Sequence, residues 1–157
     1  MSRATNKREI APRTQSVAGV ASLSLETRDQ VLYAQVRGLV TVDVEKMVCA
    51  RLGLSMRDSL AVCLDYSRTA LAITGAGLEA LFNARSQAPI MQIVAWVVPD
   101  AGTAVVWRQQ ATRFALAGVS RFATHRIDEA QEWVRNQAIL TVLRRERVAK
   151  HSAGGAQ

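Results

Sequence analysis

Hydrophobic and polar positions along this chain switch between a period of two and a period near 3.6, which predicts strands interleaved with helices. Two β-rich runs come first, over 17–26 and 30–37, and Thr27, Arg28 and Asp29 separate them with a polar connection typical of a hairpin. The first two strands are therefore predicted to be antiparallel. A helix capped by Thr41 or Asp43 then follows, with apolar positions Val44, Met47, Val48 and Leu52 at helical spacing.

The rest of the chain repeats a strand and then a helix. Strands are predicted at 60–64, 90–98 and 121–124, and helices at about 75–86, at 103–117 after a turn over 99–102, and from Asp128 onward. The run 90–98 is continuously apolar, as in a central parallel strand that helices cover on both faces. The order predicts an α/β fold, with a mixed, mostly parallel sheet of about five strands and about four helices on both faces.

Length and charge set the domain organisation. With 157 residues and 49% hydrophobic content, the chain suits one domain, predicted over 16–143. The net charge is +7, but residues 1–14 and 144–157 each carry +3, so the body is nearly neutral. Residues 1–15 and 144–157 are predicted to be basic tails, and the second one is predicted to be disordered. The alternative is that the last helix continues into this tail, because residues 119–153 contain no Gly or Pro. Basic tails are usually solvating segments, and the alternative is weak binding of nucleic acid or an anionic surface.

Several classes of function lack their motifs. The apolar runs are too short to cross a membrane and the first residues are polar and basic, so we expect a cytoplasmic protein without membrane insertion. Cys49 and Cys63 have no CxxC spacing and are expected to be buried thiols. His125 and His151 have no acid or nucleophile at a recognisable spacing, and no phosphate-binding motif occurs. We therefore expect no enzyme activity, no metal, no cofactor and no specific nucleic-acid binding.

The passage from the strand 60–64 to the next helix is the candidate site. Asp65, Ser67 and Thr69 follow the strand, and Thr74, Gly75 and Gly77 form the start of the helix in a small-residue turn. A carboxylate and free helix N–H groups are thus predicted to face one crevice, which would suit a polar ligand or a protein partner. Asp, Ser and Thr at such positions also make ordinary loop hydrogen bonds, and Thr74 can be a plain helix cap.

Four short stretches follow one another in a recognisable order: VRGLVTVD at 36–43, CLD at 63–65, VAWVVPD at 94–100 and IDEAQEWV at 127–134. Together they resemble the STAS domain, the fold of anti-anti-sigma factors, and in particular SpoIIAA-like proteins of the STAS/SEC14 type. The resemblance spans about residues 20–138. It implies a non-enzymatic regulatory module that binds a protein partner through the surface around 67–77.

The resemblance also implies a phosphorylation site, and here the chain departs from the family. Anti-anti-sigma factors carry an Asp-Ser-Ser-Gly turn whose serine is phosphorylated, whereas this chain has Thr74, Gly75, Ala76 and Gly77. Thr74 is then the candidate phosphoacceptor, at a helix end that favours a phosphate. The SEC14-like relationship implies the alternative of an apolar ligand or lipid carrier, with a pocket lined by Leu71, Ile73 and Phe82.

Three tryptophans raise the question of an interface. Trp96 lies on the apolar strand and is predicted to be core, whereas Trp107 and Trp133 lie on helices and either pack on the sheet or form part of a contact surface. Helices that carry tryptophan on a small, nearly neutral body favour a symmetric homodimer.

Overall fold

The computed structural model of the chain describes residues 13–56, 58–87 and 91–155. Within this part, six strands and four helices follow one another in the order β1 Arg13–Val17, β2 Ala21–Arg28, β3 Val31–Val40, α1 Val42–Ser55, β4 Ala61–Leu71, α2 Gly75–Gln87, β5 Ile93–Val97, α3 Ala101–Arg113, β6 Ser120–Thr124 and α4 Ile127–Gly154.

The six strands form one sheet in the order of the sequence, from β1 to β6. The pairs β1/β2 and β2/β3 are antiparallel, and the remaining three pairs are parallel. The prediction of a mixed, mostly parallel α/β sheet is confirmed, and so is the antiparallel hairpin. Its turn residues Asp29 and Gln30 both have positive φ, at 50° and 65°, as a two-residue hairpin turn with the right twist requires.

One strand was not expected. The run predicted as a single strand over 17–26 turns back at Ala18 and Gly19, whose φ angles are 51° and 68°, so that Val17 pairs with Ala21. The glycine inside a β-rich run is the local signal for this turn. The added edge strand β1 brings the sheet from about five strands to six.

Helices cover both faces of the sheet, as predicted. On one face, α1, α2 and α3 enclose the larger core, which includes Leu52, Phe82, Trp96 and Trp107. On the other face α4 packs alone, through Ala130, Val134 and Ala138, against β3, β4 and β5. All five residues of β5 are buried, since helices cover this central parallel strand on both sides.

Capping side chains determine the residues at which the helices start. The Thr41 hydroxyl accepts from the Val44 N–H at 3.3 Å and begins α1, as predicted. The predicted start of α3 at Thr103 is wrong, because the Asp100 carboxylate accepts from the Thr103 N–H at 2.8 Å and the helix starts at Ala101. This backbone hydrogen bond holds the pKa of Asp100 below its usual value. The apolar pattern of α1 predicted Met47 on the buried side of the helix, but its side chain is exposed.

The boundary of the predicted C-terminal tail needs correction. Helix α4 continues to Gly154, so residues 144–154 are helical rather than disordered. Once the first half of the helix is anchored on the sheet, each further residue adds a hydrogen bond, and no Gly or Pro stops the helix before its end. At the other end, residues 13–15 of the predicted N-terminal tail lie in β1, and residues 1–12 lie outside the described part.

Candidate functional site

Strand β4 is longer than predicted, and this changes the candidate site. It was expected to end at Leu64, but it runs to Leu71, so Asp65, Ser67 and Thr69 are strand residues rather than loop residues. The reason is tertiary: β3 continues beside it, with Gly38 paired to Thr69 and Val40 to Leu71. These pairings satisfy backbone groups that a polar sequence would otherwise leave to water.

A bulge interrupts this pairing next to Asp65. The register shifts between Gln35, which pairs with Asp65, and Arg37, which pairs with Arg68. Local hydrogen bonds hold the bulge: the Ser67 N–H donates to the Asp65 carboxylate at 2.8 Å, and the Thr69 hydroxyl donates to the Tyr66 carbonyl at 2.8 Å. Bulges of this kind redirect side chains, and here Asp65 and Arg68 lie beside one groove.

This groove lies on the α4 side of the sheet and has a volume of about 560 Å³. Asp65, Ser67 and Arg68 line it, together with Tyr33 and the first turns of α4. The Arg28 guanidinium lies 4.4 Å from the centre of the Tyr33 ring and pairs with Glu26 at 3.1 Å. Burial raises the pKa of the Tyr33 hydroxyl, so the groove presents a neutral phenol between charges of both signs.

The remaining predicted site residues lie at the start of α2. The Thr74 hydroxyl accepts from the Gly77 N–H at 3.4 Å and the Leu78 N–H donates to the Thr74 carbonyl at 2.9 Å, so Thr74 caps the helix. Thr74, Gly75 and Ala76 are exposed. Gly77 packs closely on α1: a Cβ at this position would lie 2.8 Å from Cγ2 of Val42.

The single crevice predicted from the sequence is therefore wrong. About 20 Å of extended strand lies between Asp65 and Leu71, at about 3.3 Å per residue, and Thr74 lies beyond it. Asp65 and Ser67 line the groove on the α4 side. Thr74 caps α2, and Gly75 and Gly77 lie in its first turn, on the side of α1 and α3. Thr69 is not among the residues that line the groove; it lies further along β4, where its hydroxyl donates to the Tyr66 carbonyl. The predicted site is thus divided between two separate surfaces.

A buried polar cluster between α1 and α2 was not predicted from the sequence. Glu45 is fully buried, and its carboxylate accepts a hydrogen bond from the Arg85 guanidinium, which also lies 2.9 Å from the Cys49 thiol. Burial by itself would lower the pKa of Arg85, but Glu45 and Cys49 outweigh it and raise that pKa, so Arg85 keeps its charge. The only local signal is the spacing of Glu45 and Cys49 along one side of α1. Arg85 comes from 40 residues away.

The aromatic residues form a second part of this core. Trp96 is buried as predicted, and Trp107 is buried too, with the two ring centres 5.6 Å apart. Phe82 is fully buried and lies 5.4 Å from Trp96, while Leu71 and Ile73 pack against the same core. The three residues proposed to line a lipid pocket thus pack in the core and do not line the groove described above. Trp133 is partly buried and stacks on Phe122 at 5.3 Å.

No helix within the described residues is both long and apolar enough to span a membrane. In the same part of the chain, no group of three or more His, Cys, Asp or Glu side chains is placed to hold a metal ion.

Comparisons with known proteins identify the fold. No protein-family model and no curated protein sequence matches the chain. Among solved structures, one that matches is an uncharacterized protein of the DUF3478 family with a SpoIIAA-like fold, from Shewanella loihica PV-4. It has a TM-score of 0.50 and 9% identity, over 73% of this chain and 93% of that one. The chain has a SpoIIAA-like fold.

A second solved structure with this fold is an anti-sigma factor antagonist from Mycobacterium paratuberculosis. It matches with a TM-score of 0.51 and 17% identity, over 77% of this chain and 99% of that one. The resemblance to a SpoIIAA-like (STAS) domain predicted from the sequence is confirmed as a fold. At these identities the likeness concerns the path of the chain, so a role must be argued from the residues themselves.

Proposed function

We propose that this SpoIIAA-like chain is a non-enzymatic regulatory module of the cytoplasm, which binds a protein partner through the surface at the start of α2. The observation that carries the proposal is the exposure of Thr74, Gly75 and Ala76 at this helix end. The anti-sigma factor antagonist of the same fold supports a regulatory role of this kind.

The outer part of β4 presents a second exposed region, separate from the start of α2. Strand β5 pairs with β4 only from Val62 to Asp65, so the described ladder on that side stops before Tyr66. Ser67, Arg68 and Ala70 are exposed in the segment that follows, and Ser67 and Arg68 line the groove on the α4 side. The start of α2 therefore remains the proposed contact surface, and this strand segment is not part of it.

The N-terminal end of α2 also suits control by phosphorylation at Thr74. The first N–H groups of a helix and its dipole favour a negative group, and the Thr74 hydroxyl already accepts from one of these groups, the Gly77 N–H. We propose Thr74 as the phosphoacceptor. A phosphate there would change the charge of the contact surface without requiring the helix to unfold.

Substitution of Thr74 by Glu tests the contact surface. A carboxylate at the helix start is worth roughly 0.3–1 kcal/mol, and loss of the threonine cap costs a similar amount, so the stability should change little. Binding should nevertheless fall, because a charge now lies in the contact. The measurement is affinity capture from a lysate of the native host, comparing wild type with Thr74→Glu.

Two variants serve as controls for this capture. Gln109→Glu places the same charge on the exposed face of α3, and Thr74→Ser keeps the capping hydroxyl, so both should retain the partner. Identical partner lists for Thr74→Glu and wild type, with unchanged circular dichroism, would reduce the turn to a helix cap and move the site elsewhere. Native mass spectrometry of the same preparation tests the alternative function of a lipid carrier, because a retained lipid would support that function.

A further inference from the structure

The outward face of α4 is organised differently from an ordinary solvent-exposed helix face. The helix packs on the sheet through Ala130, Val134 and Ala138, so the residues about half a turn away face outward. In the middle of this face lie Ile139, Leu140 and Leu143, which are 58%, 43% and 48% exposed. An outward helix face is normally polar, and large apolar side chains grouped on successive turns indicate a contact surface.

Charges flank this apolar centre in an ordered way. The first turns of the outward face carry Glu132 and Asp128, which pairs with Arg126 at 3.2 Å, and the last turns carry Arg147 and Lys150. Over the segment 144–150 as a whole, Arg and Lys exceed Glu by three, with Glu146 the only acid. The first turns of the face thus carry acid and the last turns carry base, and Arg135 lies beside the apolar centre, in a groove that Ile139 and Leu143 also line.

The pattern on one copy of the helix is complementary to the pattern on a second copy that runs in the opposite direction. If two copies of the helix lie antiparallel with a two-fold axis between Ile139 and Leu140, Glu132 of one copy faces Arg147 of the other. The same axis brings the apolar centres together. A parallel arrangement would instead place acid against acid and base against base.

We propose that α4 is a homodimer surface, on which a second copy of this chain binds antiparallel through the apolar centre and the two charged ends. Such an interface is isologous, which is the usual form of a two-fold dimer. From residue 128 to residue 150 the contact would extend for about 33 Å, at 1.5 Å per residue.

The other occupant to consider is an anionic membrane surface. The basic last turns would favour it, but the exposed Glu132 on the same face would be repelled. The alternation of charge therefore favours a second copy. Because α4 and α2 lie on opposite faces of the sheet, the dimer would leave the start of α2 accessible. The two surfaces can be tested independently.

Light scattering and sedimentation equilibrium of the full chain at tens of micromolar test the dimer. Wild type should show twice the mass of one chain. Leu143→Asp, and Ile139→Asp as a second variant, should each weaken association about tenfold or more, with unchanged circular dichroism. Val106→Asp is the matched control, because Val106 is similarly exposed, at 44%, but lies on α3. It should leave the dimer intact.

A charge exchange tests the antiparallel geometry. Glu132→Lys and Arg147→Glu should each weaken the dimer, and the double variant should restore it. Within one helix these residues are about 22 Å apart, too far for a direct ion pair, so restoration requires a second copy.

Four outcomes would overturn the proposal. They are a monomer mass for wild type at these concentrations, a dimer that survives both apolar substitutions, an equal loss of dimer in Val106→Asp, and a double charge variant that is no better than either single one. A monomer that binds phosphatidylserine vesicles, and loses this binding with Leu143→Asp, would assign the face to a membrane surface instead.

Discussion

Two glycines at the start of α2 show how closely single atoms determine this surface. Gly75 has open space around its missing Cβ, whereas a Cβ on Gly77 would come within 2.8 Å of Val42 on α1. Gly77 therefore permits the close approach of two helices, and its role is steric. Thr74, three residues earlier, is a helix cap in the structure whatever its further role.

The two glycines also provide a matched experiment. Gly75→Ala should leave stability unchanged or raise it by up to about 1 kcal/mol, because alanine is the better helix former. Gly77→Ala should be less stable than Gly75→Ala by about 1 kcal/mol or more, since Val42 or the helix must move. Chemical denaturation measures both values. If the two variants proved equally stable, the packing of α2 on α1 would be looser than described; Val42→Ala in the Gly77→Ala background should recover part of the loss.

At the scale of elements, a buried ion pair connects α1 and α2. Glu45 is completely buried and Arg85 has a side chain only 15% exposed, so each depends on the other for charge compensation. A second pair, Glu79 with Arg113 at 3.1 Å, connects α2 to α3, but both of its side chains are about half exposed. The position of α2, and with it the proposed contact surface, depends on the first pair far more than on the second.

Replacement of each glutamate by glutamine measures this difference. Glu45→Gln should lower the free energy of unfolding by about 3–5 kcal/mol, because Arg85 is left as an uncompensated buried charge. Glu79→Gln makes the same chemical change at the exposed pair and should cost less than about 1 kcal/mol. Urea denaturation of the two variants gives the comparison. Similar losses for both would mean that Glu45 and Arg85 are hydrated in solution.

At the scale of the whole molecule, the sheet separates two cores, and each contains one cysteine. Cys49 lies on α1, in contact with Arg85 of α2, and Cys63 lies on β4, on the side of α4. Burial raises the pKa of both thiols, with Glu45 beside Cys49 and Asp65 beside Cys63 adding to it; for Cys63 the value reaches about 12.

Thiol reactivity therefore reports on both faces at once. At pH 8 neither cysteine of the folded protein should react rapidly with a disulfide reagent such as DTNB, and both should react after unfolding in guanidinium. Since the folded pKa of Cys63 exceeds the ordinary 9.0, its stabilising contribution is complete below pH 9 and is lost as the pH rises toward 12. Stability above pH 9 should thus fall less steeply in Cys63→Ala than in wild type. One rapidly reacting thiol at pH 8 would show that one face opens.

The periodicity of apolar residues was sufficient to predict the order of elements after the first hairpin, the burial of Trp96 and the covering of β5 by helices on both sides. The residue type at the helix start was sufficient to predict the cap at Thr41. These features depend on neighbours along the chain, which any single sequence displays. The SpoIIAA-like fold was predicted separately, from the resemblance of four short stretches to the STAS domain.

Other features required partners that are distant in sequence, and only the tertiary structure decided them. The backbone of β3 extends β4 to Leu71 and thereby separates Asp65 from Thr74, and Arg85 reaches Glu45 across 40 residues. Likewise, which side of α4 faces outward depends on the sheet beneath it. Local sequence carries propensity and pattern, whereas strand length, burial of charge and the division of one predicted site into two surfaces arise from contacts between elements that the chain brings together only on folding.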